Sequence, residues 1–466
     1  MSLLIQHGEL VTAETRCFAD ILCEGERITR IEPKIAPPHD AMVLDARGKL
    51  VFPGFVDPHV HAYLPLKNTS SKDDYASTSV AALMGGTTCF IDFCGAGREE
   101  SPLQAWDRWE RQSKGRSACD FSYHMTVARF DERTALELEE VVRRGVTSFK
   151  IYLAYKNALN LSDQELFKTL QFAAGRGILT VGHCENAEVV FELQQKMLAE
   201  GKTGPEWHYH SRPPSVEEEG VHHFLTFAEL TGAPVYIAHL SCNEALQAAL
   251  PFRQRGVKCS IETMVHYLLL DKSYAERGGF EAAKYVLSPP LREKKNQDIL
   301  WAALRDGLID TVGTDHAPFD FYGQKTMGRE NFTLIPNGIG SIENRVQLLY
   351  TCGVCRGLMD VQTMVAVASA NPARLFGLYP RKGALEPGSD ADLVIYDPAY
   401  EGRISAKHQF MKVDYNPYEG FPVQGRPDIV TVRGAVAVRD GRFVGDRNRG
   451  RFVARPVALL DRHEDA

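Results

Sequence analysis

Between residues 53 and 375, short apolar segments alternate with helical ones eight times in succession. The strand candidates read FVDPHVH, TTCFIDF, FSYHMTV, SFKIYLA, ILTVGHC, PVYIAHL, KCSIETM and DTVGTDH. Helical stretches such as SDQELFKTLQFAAGRG, CNEALQAALPFRQRG and NQDILWAALRDG separate them, each closing near a glycine suited to a helix stop. Strand–helix units repeated eight times predict an α/β chain folded as a (β/α)8 TIM barrel, in which chemistry sits at the C-terminal ends of the strands. A doubly wound open sheet is the alternative. No Gly-rich nucleotide turn opens the repeat, and CGAGRE is too short a match to supply one.

The ends of the chain look different. ADILCEGERITRIEP reads as strand, turn, strand, and IVTVRGAVAVRDGRFVG repeats that pattern with Asp440-Gly441 as its turn. DADLVIYDP adds a further buried strand. These segments predict a smaller β-sandwich domain built from both termini, residues 1–52 and 376–466, around a barrel at 53–375.

With 466 residues, 44% hydrophobic and 24% charged, the chain suits a large domain plus a small one. A net charge of −7 without a long basic run argues against nucleic acid as a partner. No apolar run approaches the ~18 residues of a membrane span. The opening MSLLIQHGELVTAETR shows no basic-then-apolar signal pattern, and the ten cysteines are scattered, most of them in apolar stretches. Both features point to a reducing cytoplasm. The lone CxxC in TCGVC reads as structural.

His59 and His61 stand two apart in DPHVHAY. Alternate residues of a strand face the same way, so both rings aim at one point. The other strand ends supply Lys150, His183, His239 and Asp315. Singly, each has a plain structural explanation: a hydrogen-bonded core histidine, a lysine snorkelling from the strand end, an aspartate capping the next helix. Together at one end of a barrel, four histidines and an aspartate form the imidazole and carboxylate donor set of zinc and similar ions, with a lysine among them. Lys150 lies in the apolar SFKIYLA, where burial lowers an amine's pKa and exposes its lone pair. Such an amine can add carbon dioxide, and the resulting carbamate can bridge two cations that an ammonium would repel. Two ions about 3.5–4 Å apart generate a nucleophile from water at neutral pH, and Asp315 is placed to pass its proton to a leaving nitrogen.

The chain resembles the cyclic amidohydrolases, within them the hydantoinase and dihydropyrimidinase group, from GKLVFPGFVDPHVH to KVDYNPYEG and GRGRF. SFKIYLAYK and VGTDHAPF match its motifs closely. The resemblance implies two divalent metal ions, most simply zinc, held by His59, His61, carbamylated Lys150, His183, His239 and Asp315. It implies that Tyr155 stabilises the oxyanion, and that Ser288 in VLSPPLR and Asn337 in IPNGIG hold the amide edge of a cyclic substrate. The product is then an N-carbamoyl amino acid. Dihydroorotases usually carry an arginine two residues after the HxH; Tyr63 stands there, which favours a neutral cyclic diamide. The alternatives are an allantoinase-like or phosphotriesterase-like hydrolase, and a non-catalytic protein like the collapsin-response-mediator proteins, which have lost metal ligands. The resemblance further implies a homotetramer, with GDRNRGRFVARP either an interface arm or a solvated tail.

The chain departs from the family pattern at three places. ETMVHYL replaces the frequent ETCPQYL, AYLPLKNTSSKDDYAS replaces a short Gly-containing loop, and Ala317 stands where many relatives have cysteine. All three fall around the expected substrate pocket, with residues 62–72 as part of its loop.

Overall fold

The computed structural model describes residues 2–456. All eight predicted segments form one sheet of parallel strands in sequence order. They are β1 (Phe55–Val60), β2 (Thr87–Cys94), β3 (Asp120–Thr126), β4 (Ser148–Tyr152), β5 (Leu179–His183), β6 (Val235–Ile237), β7 (Cys259–Met264) and β8 (Thr311–Gly313). The sheet closes where Val60 forms a parallel bridge with His316, and His61 N donates to His316 O at 2.9 Å. Carbonyls at such a seam need donors. The fully buried Arg345 supplies them, donating from Nη1 to Val56 O at 3.0 Å and Val312 O at 2.9 Å. Nearly every barrel-strand residue is buried, as expected of strands covered by helices on one face and core on the other. The helix Asp163–Ala174 shows why these connections form locally. Ser162 accepts from Glu165 N while the Glu165 carboxylate receives Ser162 N, a reciprocal cap, and Gly177 at φ 62° takes the chain onward.

Two further sheets come from the two ends of the chain. A four-stranded sheet is drawn from residues 2–45, and a seven-stranded one combines residues 9–11, 16–18 and 50–53 with four strands between 393 and 443. Their facing sides meet in a separate core containing Ile5, Ile21 and Cys23 from one sheet and Leu10, Val51, Leu393 and Ile395 from the other. The spacing of two between Ile21 and Cys23, and between Leu393 and Ile395, is the strand period that keeps one face apolar. Asp440 and Gly441, at φ 54° and 70°, make the predicted turn between Ala435–Arg439 and Arg442–Phe443.

Buried charge joins the sandwich to the base of the barrel. Lys382 reaches Asp120 of β3 at 2.6 Å, Asp390 at 2.9 Å and Asp392 at 2.7 Å, and Arg433 pairs with the same Asp120. Of the two expectations for GDRNRGRFVARP, an interface arm or a solvated tail, the solvated tail is corrected by the structure from Phe452 to Arg455. Phe452 bridges to Phe121 and stacks on Tyr123, and Val453 is buried. The buried Arg455 donates to Ser122 Oγ at 2.9 Å, Ser148 Oγ at 2.9 Å and the Tyr123 carbonyl. The apolar residues between the arginines, which the tail reading passed over, press this segment against β3 and β4 of its own chain. All ten cysteines are free thiols, eight of them buried. Among the described residues no helix is long and apolar enough to cross a membrane.

Candidate metal centre

The six expected residues fall at the C-terminal end of the barrel. His59 lies near the end of β1 and His61 just past it; Lys150 lies in β4; His183 ends β5; His239 and Asp315 follow β6 and β8 by two residues. His59, His61 and Asp315 form the tightest group. Asp315 Oδ1 sits 3.2 Å from His59 Nε2 and 3.1 Å from His61 Nε2, so one oxygen faces both rings. His183 and His239 make a second pair, their ring centroids 4.4 Å apart, and His239 stands 5.4 Å from His59. Lys150, fully buried, has its ammonium over the rings of Phe93, which stacks on His61, and of Tyr152, which lies 5.8 Å from His183.

Burial and neighbouring charge set the electrostatics of this arrangement. Burial, eased only in part by Asp315 and Glu262, pushes Lys150 down to about 8. Burial also lowers His61, His183 and His239, and the Lys150 charge adds to that in all three. Burial alone would lower His59 too, but the carboxylates of Glu262 and Asp315 lift it above the ordinary histidine value. Asp315 is held well below the carboxylate range because His59 and His61 outweigh its burial. His61 Nδ1 and His239 Nδ1 are buried without a hydrogen-bond partner among the described residues. Four imidazoles, a carboxylate and an amine convertible to an anion fit divalent ions of zinc-like character.

Beside the centre opens a cavity of about 910 Å³. Its apolar wall includes Leu64, Leu66, Trp109, Tyr152 and Leu159, and Arg98, Glu100 and Arg108 stand at its polar side. Residues 62–72, expected in the substrate loop, reach this wall as a small hairpin. Leu66 N donates to Thr69 O at 2.7 Å, and Ser71 N to Leu64 O at 2.9 Å. Asp92 of β2 anchors the chain between His61 and that hairpin, accepting from Ala62 N, Trp109 Nε1 and Tyr75.

The amidohydrolase family model matches residues 50–437. The chain belongs to the amidohydrolase family. Across 98% of its length this amidohydrolase is 42% identical to a D-hydantoinase of Geobacillus stearothermophilus, of which 97% is covered. Identity to a dihydropyrimidinase of Dictyostelium discoideum is 36%, covering 98% of this chain and 91% of that one. A solved D-hydantoinase (dihydropyrimidinase) from Thermus sp. superposes with a TM-score of 0.97 at 54% identity, covering 98% and 99% of the two chains.

Two carboxylates that sequence reasoning did not single out turn the amidohydrolase's histidines toward the centre. Glu262 Oε2, in β7, accepts from His59 Nδ1 at 2.8 Å and from His239 N at 3.1 Å, leaving His59 Nε2 free to face Asp315. Glu185 Oε2 accepts from His183 Nε2 at 2.7 Å and from Arg212 at 2.6 Å, which leaves Nδ1 as the His183 nitrogen not engaged by that carboxylate. Burial would raise Glu185, but Arg212 and the His183 ring overcome it and hold the carboxyl down to about 2. Their signal was present in the sequence: an acid inside the apolar β7, and an acid two residues after a candidate ligand. Because such partners fix ring orientation and ligand basicity, Glu262→Gln is expected to weaken metal affinity roughly 10–100-fold. Competition with a chelator reads that change directly.

Tyr155, Ser288 and Asn337 gather on one side of the centre. The Tyr155 ring lies 5.3 Å from His183, and Ser288 Oγ accepts from Asn337 Nδ2 at 2.9 Å. Burial, eased by Arg212 and Ser288, pushes Tyr155 up to about 12, so it remains a phenol able to donate. At the altered ETMVHYL, His266 is buried with neither ring nitrogen partnered among the described residues, and burial pushes it down to about 3.

Proposed function

We propose that this amidohydrolase adds water across the ring amide of hydantoins or 5,6-dihydropyrimidines, giving N-carbamoyl amino acids. The observation that carries the reading is the placement of the buried Tyr155 ring, 5.3 Å from His183 of the six-residue centre and beside the Ser288–Asn337 pair. Full-length relatives named D-hydantoinase and dihydropyrimidinase support it. His59, His61, Lys150, His183, His239 and Asp315 would hold two divalent ions, zinc in our reading, with Lys150 carboxylated on its amine. Bound there, the ions supply water activation and polarisation of the scissile carbonyl. Tyr155 donates to the carbonyl oxygen as negative charge develops on it. Asp315 moves a proton to the departing amide nitrogen. Ser288 and Asn337 hold the amide edge of the ring, and the cavity behind His61 receives the ring substituent. We assign the enzyme to the cytoplasm as a homotetramer, and divide the chain into a barrel at 53–375 and a sandwich from 1–52 and 376–466.

Metal analysis paired with a panel of dihydrouracil, 5-substituted hydantoins, allantoin and dihydroorotate tests the proposal. Ring opening of the first two classes, with about two metal ions per chain, is expected. Turnover confined to allantoin or dihydroorotate overturns the substrate assignment, and a chain that binds no metal under zinc and bicarbonate overturns the mechanism. Tyr155→Phe removes one donor and is expected to cut kcat by roughly 10²–10³-fold with metal content unchanged.

A further inference from the structure

Lys325 opens a short 3₁₀ turn, Lys325–Gly328, and its side chain is fully buried. Its ammonium donates to three backbone carbonyls: Val286 O at 2.8 Å, Pro336 O at 2.7 Å and Gly338 O at 2.8 Å. Three donors meet three acceptors, so every proton of the ammonium is used. Burial alone pushes Lys325 well below the ordinary lysine value, while the three carbonyl oxygens facing it favour the charged form, the one with a proton for each. An ammonium without a counter-ion is a costly way to fill buried space, which methionine or leucine would fill without desolvating a charge.

The carbonyls it gathers come from two segments about fifty residues apart in sequence. Val286 precedes Ser288 by two residues, and Pro336 and Gly338 flank Asn337. Gly338 N also donates to Val286 O at 3.0 Å, joining the segments directly. In a trans peptide the N–H and C=O point opposite ways, so with Gly338 N turned to Val286 O the Asn337 carbonyl faces away from the clasp. One residue after Val286 the buried His208 repeats the device. Its Nε2 donates to Leu287 O at 2.8 Å, which turns the Ser288 N–H away from His208.

We propose that Lys325 is a positioning residue for ring recognition: its ammonium ties segments 286–288 and 336–338 together so that Ser288 N–H and Asn337 C=O form a fixed donor–acceptor pair. A cyclic amide presents a carbonyl beside an N–H on one edge, the complement of that pair. The assignment rests on the reading of Ser288 and Asn337 as contacts to that edge. It narrows the substrate class to rings with an unsubstituted –CO–NH– edge.

Lys325→Met keeps a stem of similar length and removes the ammonium. For the metal-loaded full chain, KM for dihydrouracil is expected to rise about tenfold or more, with kcat within about threefold of the parent and metal content unchanged. Hydrogen exchange of the backbone amides at 286–289 and 336–340 is expected to quicken in both segments together. An unchanged KM, or unchanged exchange in either segment, overturns the proposal. Should Lys325→Met fail to fold, Lys325→Leu, which likewise removes every donor, is judged by the same criteria. Failure of both to fold makes Lys325 a folding determinant and also overturns it. If the parent opens none of these rings, the functional reading falls on that result alone, and the exchange measurement still decides whether the clasp exists.

Discussion

Lys150→Ala is expected to lower bound metal and ring opening together, with turnover falling by at least about 10³-fold, some 4 kcal/mol of transition-state stabilisation. The reason lies in where the amine sits. Its charge depresses His61, His183 and His239, so the residue reaches both halves of the centre electrostatically. As an ammonium it opposes cations; carboxylated as proposed above, it would attract them. Alanine does neither and leaves space. Propionate added to the variant offers a carboxylate of suitable size for that space, and partial recovery of both metal and turnover is the expected result. Loss of activity with metal fully retained would instead make Lys150 a packing residue.

The second large effect is expected at Asp315. Asp315→Asn should reduce kcat by roughly 10²–10⁴-fold, the range for removing a general acid–base group. Asparagine preserves the volume and tolerates the left-handed backbone that Asp315 adopts at φ 47°, so the fold should survive. Thermal unfolding within a few degrees of the parent, alongside the kinetic loss, would separate chemistry from stability. A variant retaining parental kcat would show that the proton moves by another route.

Much of this architecture was legible because it is periodic. Eight strand–helix units announce a barrel, and reading the strand ends gave six residues that the fold brings to one place. Asp440-Gly441 fell in a turn because few other pairs accept that backbone. What escaped was relational. Glu262 and Glu185 matter through the ring nitrogens they engage, and no local spacing says which histidine an acid will meet. Lys325 was invisible for the same reason, since its three acceptors are backbone atoms that carry no residue-type signal. A solvated tail fails at 452–455 for a similar reason: composition does not separate the exposed Arg447 and Arg451 from Arg455, which spends its donors on buried oxygens.

Tyr155, His239 and Asp315 share a backbone feature: all three lie at positive φ, 64°, 40° and 47°. Side chains other than glycine hold such conformations at a cost of roughly 1–3 kcal/mol each. In a randomised library screened only for survival of heating, glycine or asparagine at these three positions should therefore be enriched, and the fittest survivors would be inactive. A library screened for turnover should keep all three residues while gaining tolerance elsewhere. The positions at which the two screens disagree would map the catalytic side of the barrel, whatever ring the enzyme opens.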